Sequence, residues 1–201
     1  MRPLVIDVKD PQSVAEGFKQ VGERYGRLDL LVNSAGEATK PAPLMRTPPE
    51  TWDAQHALHS RGAMLAAQQA LRMMRKQRSG TIINIVSTLA LPSSDAAGLA
   101  GYAAAKAAMR SLTHSLRTEG RAYGVRASAI LPAFVDTPLW EGTSVDRSRM
   151  IAPRDVAEAV WFLYRLAPGV QIDELVMDSI NANTGNATTS NATTSNATKQ
   201  N

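Results

Sequence analysis

The sequence predicts a single α/β domain over residues 1–180, built as a parallel sheet with helices on both faces, and a low-complexity tail over residues 181–201. Two observations carry this expectation. Apolar runs of strand length alternate with longer segments of helical periodicity, the pattern of strands linked by crossover helices. In addition, the run Ile-Ile-Asn-Ile-Val near residue 84 is nearly continuous in its apolar character rather than alternating, as a strand covered on both sides requires. A chain of 201 residues with 44% hydrophobic content suits one core.

The elements follow in order. The first strand is expected in PLVIDV at the start, the next in LDLLVNSAG near 30, then TIINIVS near 84, VRASAILP near 129 and ELVMD near 176. A helix from Pro48 to about Gln77 opens on Thr47-Pro48-Pro49-Glu50, which reads as a capping box: Thr47 would accept from a first-turn N–H and Glu50 would reach back. Along it Trp52, His56, His59, Ala63 and Met74 share a stripe. A second helix runs from near Gly101 to Tyr123 and stops at Gly124, a residue suited to the left-handed conformation that ends helices. A shorter one starts near Pro153 with Val156, Val160 and Leu163 on one face. After Ile180 the composition turns to Asn, Thr, Ala and Ser, with the block NATTS at 186 repeated at 191. Such a segment buries nothing and is expected to be disordered. Its Asn-x-Thr triplets at Asn186, Asn191 and Asn196 are read as a by-product of the repeat.

Composition excludes several classes. With no cysteine there is no disulfide, thiol nucleophile or Cys-ligated metal, and a reducing, cytoplasmic setting is the default. No metal site is expected. The net charge is +4, but the basic residues are scattered among acids, so no nucleic-acid footprint appears. No apolar run approaches the roughly 18 residues a membrane span needs, and the start lacks the apolar region of a signal peptide.

The chemistry concentrates in Tyr102-Ala-Ala-Ala-Lys106 at the start of a predicted helix, after a strand that ends in Ser87. A spacing of four puts phenol and ammonium on one helix face. A phenol with a pKa of about 10 is a poor base near neutrality, and a nearby cation would favour the phenolate. Ser87 could hold a substrate oxygen while Tyr102 moves the proton.

Around this pair the landmarks fall in the order of the short-chain dehydrogenase/reductase family, which residues 3 to 178 resemble: Asp7-Val8 closing a strand, Asn33-Ser34-Ala35-Gly36, the Ser87 strand, Tyr102 to Lys106, and Leu131 to Pro138. The resemblance implies a Rossmann-like, doubly wound parallel sheet and a hydride-transferring oxidoreductase using NAD or NADP on a small carbonyl or alcohol. It implies catalytic Ser87, Tyr102 and Lys106, with Tyr102 the acid/base and Lys106 also holding the nicotinamide ribose. Asp7 and Val8 would sit at the adenine, Asn33, Ala35 and Gly36 would line the cofactor, and Pro132, Val135 and Thr137 would complete the nicotinamide end. Asp7 could instead cap the helix opening at Pro11, and Thr137 a short turn before Pro138. Ser93 and Ser94 compete with Ser87, which aligns better with the strand-end serine of the family.

Two departures stand out. His59 occupies the place of an Asn whose carbonyl supports a water relay to the lysine; an imidazole with a pKa near 6.5 could join that relay. The family's first strand, its Gly-rich Thr-Gly-x-x-x-Gly-x-Gly turn and its second strand are not found among these residues, so the sheet is expected to be N-terminally truncated, its first strand weakly held, and the choice between NAD and NADP unreadable. The family implies pairing of subunits through the helices that begin near Pro48 and Gly101, so a homo-oligomer is expected. The alternative function is a catalytically impaired, truncated homologue acting through that association.

Overall fold

The computed structural model describes residues 3–37, 39–140 and 146–180; the tail and its Asn-x-Thr triplets lie outside the described residues. Four parallel strands form one sheet in the order β1-β2-β3-β4: β1 Leu30–Asn33, β2 Gly80–Ile85, β3 Val125–Pro132 and β4 Glu174–Met177. The helices are α1 Pro11–Tyr25, α2 Pro49–Gln55, α3 Gly62–Gln77, α4 Ala100–Gly120 and α5 Pro153–Arg165. A single π-turn, His56–Arg61, joins α2 to α3, so the long helix expected from Pro48 to Gln77 is continuous but carries one wide turn.

Helices cover both faces of the sheet. On one face Ala67, Ala70 and Met74 of α3 and Leu116 of α4 pack on Ile82, Val125 and Ala127. On the other, Ala159 and Leu163 of α5 pack on Ile83 and Ile130. Ile82 and Ile83 are both fully buried yet face opposite layers, which is why this strand has no polar alternation. The stop of α4 also follows the expectation. After a short 3-10 turn at Arg121–Tyr123, Gly124 sits at φ 70°, and a Cβ there would lie 2.6 Å from the Arg78 carbonyl oxygen. No side chain fits this junction.

Two expectations fail. Residues 3–8 form no strand. The segment lies off the sheet: Ile6 packs over Gly17 of α1 and Val8 over Gly62 of α3, while Val5 is fully exposed. With no neighbouring strand to take its N–H and C=O groups, an apolar sequence alone does not make a strand. The capping box is also absent. Pro48, with extended ψ of 142°, is the N-cap of α2, and the Thr47 hydroxyl donates instead to the carbonyl oxygens of Ala42 and Pro43. Consecutive prolines displace the helix start by one residue, so the Thr–Glu spacing no longer spans cap to third position.

Candidate active site

The site forms where β2, the π-turn and the first turns of α4 meet. Ser87 follows β2 in extended conformation and caps the short 3-10 turn Thr88–Ala90, accepting from the Leu89 N–H at 3.2 Å. Its hydroxyl is buried beside the Tyr102 phenol, where its proximity favours the phenolate. Ser94, the competing serine, donates to the Thr88 carbonyl oxygen at 2.5 Å, and Ser93 is exposed. Lys106, one turn beyond Tyr102, is buried; its Nζ donates to the Ile85 carbonyl oxygen at 2.9 Å and lies 5.6 Å from the centre of the Tyr102 ring. The ring of His59 meets Tyr102 edge to face at 5.1 Å. Thus the four residues expected to be catalytic converge.

Their electrostatics differ from the expectation. Burial raises the Tyr102 phenol above its ordinary 10.0, and the nearby Ser87 hydroxyl offsets this only in part. The lowering expected from Lys106 does not prevail: its Nζ lies over the ring, and the cost of removing a phenolate from water dominates. Lys106 itself is lowered by burial to about 8. His59 is lowered to about 4, first by burial and second by the Lys106 charge. The imidazole is therefore neutral at physiological pH, not poised near 6.5. Its Nε2 faces the Glu37 carbonyl oxygen at 3.0 Å, so Nε2 carries the proton and Nδ1 is a bare acceptor.

The remaining expected residues divide. Ala35 and Gly36 lie exposed after β1, and a Cβ on Gly36 would come within 2.8 Å of His59 Cε1. The missing side chain thus lets the loop close on the His59 ring. Asn33 turns its side chain inward: Nδ2 donates to Asn84 Oδ1 at 2.8 Å, Asn84 Nδ2 to Thr113 Oγ1 at 2.8 Å, and Thr113 Oγ1 to the Met109 carbonyl oxygen at 2.9 Å. This buried ladder, spanning β1, β2 and α4, went unnoticed in the sequence; the polar Asn84 within an apolar strand was its one visible sign. Asp7 is spent on a local turn, accepting from the Lys9 N–H, and the cap of α1 is Asp10, not Asp7. Pro132 ends β3 in the core; Val135 bridges to Ile151 and accepts from Trp140 Nε1; Thr137 is half-buried at the head of the turn Pro138–Trp140. Part of the stretch Leu139–Ile151 lies outside the described residues. Among the described residues there is no cluster of three or more His, Cys, Asp or Glu able to hold a metal, and no helix long and apolar enough to cross a membrane.

A family model for short chain dehydrogenases matches residues 1–148. A 3-oxoacyl-acyl-carrier-protein reductase of Thermotoga maritima is 33% identical over 171 residues, covering 80% of this chain and 68% of that protein. A cis-4-hydroxycyclohexanecarboxylate dehydrogenase of Sinomonas cyclohexanicum is 36% identical over 167 residues, covering 78% and 66%. Among solved structures, a 3-ketoacyl-(acyl-carrier-protein) reductase from Brucella melitensis complexed with NADH superposes with a TM-score of 0.80 at 26% identity, covering 89% of this chain and 77% of that one.

Proposed function

The chain belongs to the short-chain dehydrogenase family, and from that premise we propose that it interconverts a small carbonyl compound and its alcohol with NAD or NADP. The observation that carries the proposal is the half-buried phenol of Tyr102, set beside Ser87 and the Lys106 ammonium and held above its ordinary pKa by desolvation. Such a group is a proton donor, which is what carbonyl reduction needs.

The residues fit a nicotinamide nucleotide. Lys106 commits one N–H to Ile85, which leaves donors for a ribose hydroxyl, and the loop from Ser34 to Glu37 is exposed with no side chain at Gly36. Lys106, Tyr102, Ala35, Gly36, Pro132, Val135 and Thr137 would hold it, Asn33 would take part through its backbone alone because its side chain is committed to Asn84, and Asp7 and Val8 would meet its adenine end. When bound, it supplies or takes up the hydride. In the reductive direction Ser87 holds the substrate oxygen, Tyr102 gives it the phenolic proton, and the Lys106 cation stabilises the phenolate left behind. His59, neutral and bonded to Glu37, takes part as a fixed hydrogen-bonding group rather than as a carrier of positive charge. The oxo group in one relative's name and the hydroxyl in the other's support this substrate class. Association with a second copy through the helices that begin near Pro48 and Gly101 belongs to the same proposal.

Titration with NADH and NADPH, followed by cofactor fluorescence, tests the reading directly. Binding of at least one is expected, and silence at millimolar cofactor would sink it. Tyr102→Phe removes the acid and is expected to lower turnover roughly 10²- to 10⁴-fold.

A further inference from the structure

One narrow stripe of α4 holds Tyr102, Lys106, Arg110, Thr113 and Arg117, each three or four residues from the last. The first two belong to the site described above, and Thr113 closes the buried ladder to Asn84. Arg110 and Arg117 reach instead to β4. The Arg110 guanidinium makes a two-pronged contact with the Glu174 carboxylate, Nε to Oε1 at 2.6 Å and Nη2 to Oε2 at 2.8 Å. Two turns further on, Arg117 pairs through Nη1 with Asp173, while its Nη2 meets His114 Nδ1 at 2.8 Å.

These pairs matter because apolar packing supports β4 on one face only. It is the outermost strand and pairs with β3 alone. Successive side chains of a strand point to opposite faces. Leu175 and Met177 turn toward α5 and join the cluster of Ile83, Ile130, Ala159 and Leu163. Glu174 and Val176 turn toward α4. Val176 is 54% exposed there, and among the described residues the apolar clusters beneath α4 contain no residue of β4. On that face the grip on β4 is therefore ionic. Exposed ion pairs generally contribute little. The Arg110–Glu174 pair is bidentate with both side chains about one-third exposed, so water competes less and the planar fork fixes direction as well as distance.

What β4 holds in turn is the strand end beside the site. Met177 is the register partner of Pro132, and its carbonyl oxygen accepts from the Ala133 N–H at 2.9 Å. Val135 and Thr137 follow directly. We propose that Arg110, backed by Arg117, is a positioning residue: by gripping β4 from α4 it fixes the segment 132–137 relative to Tyr102, which stands about two turns earlier on the same stripe. That this segment meets a nicotinamide rests on the function proposed above; the grip on β4 and its transmission to Ala133 do not.

The first readout needs no cofactor. In Arg110→Gln and, from the other side of the pair, Glu174→Gln, amide exchange at Ala133 is expected to speed roughly threefold to tenfold. The Val86 N–H, which bonds to the Ile130 carbonyl oxygen on the β2 side of β3 at 2.7 Å, is expected to keep its native rate. The charge-swapped pair, Arg110→Glu with Glu174→Arg, is expected to return Ala133 toward the native rate. Unchanged exchange at Ala133 in the folded single variants overturns the grip. An equal rise at Val86 is general destabilisation and overturns it too, as does a swap that restores nothing. The second readout is affinity. Whichever of NADH and NADPH the native protein binds is expected to bind Arg110→Gln roughly threefold to tenfold more weakly, and the swapped pair as tightly as the native chain. A loosened Ala133 with unchanged affinity overturns the positioning role. If the native protein binds neither cofactor, the proposed function fails on its own, and exchange at Ala133 still decides the grip.

Discussion

Lys106 is a buried ammonium that donates to the Ile85 carbonyl oxygen, and its ionisation therefore belongs to folding as much as to chemistry. Its pKa falls from 10.5 in the unfolded chain to about 8 in the folded one. Between these values the unfolded chain holds a proton that the folded one has released, so stability rises with pH from about 8 toward 10. The full shift corresponds to about 3 kcal/mol. Urea unfolding of the native protein at pH 7, 8, 9 and 10 is expected to show this rise against a Lys106→Met variant that lacks it; parallel curves would refute it. His59 has a second window of the same sign at lower pH. It falls from 6.5 to about 4, so below pH 6.5 the unfolded chain binds the extra proton and stability is lost as pH falls toward 4. His59→Asn is expected to remove that part of the acid sensitivity, about 3 kcal/mol in full. The residues were legible because a spacing of four is local information. Their proton affinities were not, because burial comes from β2 and α2, which lie far from α4 in the chain. The same reason hid the Arg110–Glu174 pair: nothing in the sequence marks residues 64 positions apart as neighbours.

At the scale of the element, periodicity and end signals located the helices from Pro48, Gly101 and Pro153, while α1 was foreshadowed only by a capping residue before Pro11 and strand formation depended on neighbours. The runs near 30, 84, 129 and 176 each found a partner in the sheet; the run at 3–8 had comparable apolar content and found none. Its ties are side-chain contacts of Ile6 and Val8 and one N–H bond from Asp7 to Ser13 Oγ at 2.9 Å. Amides of residues 4–6 are therefore expected to exchange close to the rate of an open chain, while those of Ile82, Ile83 and Asn84 in β2 exchange only by global unfolding. Equal protection of the two segments would contradict this. The end of α4 gives a second expectation at this scale. Gly124→Ala forces a left-handed conformation on a residue with a Cβ and drives that atom into the backbone oxygen of Arg78, which cannot yield as a side-chain tip would. A loss of more than about 1 kcal/mol is expected from thermal or urea unfolding.

At the scale of the whole molecule, one polar ladder joins the layers that the apolar clusters only press together. Asn33 on β1 and Asn84 on β2 are register partners in the sheet, and Asn84 reaches across to Thr113 on α4, the helix that also carries Tyr102 and Lys106. An apolar contact tolerates sliding; a chain of buried amides does not, because a shift by one residue would leave each group without its partner. The ladder thus sets how α4 sits on the sheet, and with it the distance from Tyr102 to Ser87. Asn84→Leu removes the centre. The Asn33 amide then keeps only its long contact of 3.4 Å to the Ala63 carbonyl oxygen, and the variant is expected to lose about 1–3 kcal/mol, the cost of stranding a buried polar group. Replacing both amides, Asn33→Leu with Asn84→Leu, strands less, so the double variant is expected to be more stable than the sum of the singles predicts. If the ladder also sets the site, the recovered stability is not accompanied by recovery of turnover, since apolar packing restores burial but not register. A double variant as active as the native chain would mean that the other contacts of α4, its apolar layers together with the Lys106 bond to Ile85 and the Arg110–Glu174 pair, hold it in place without the ladder.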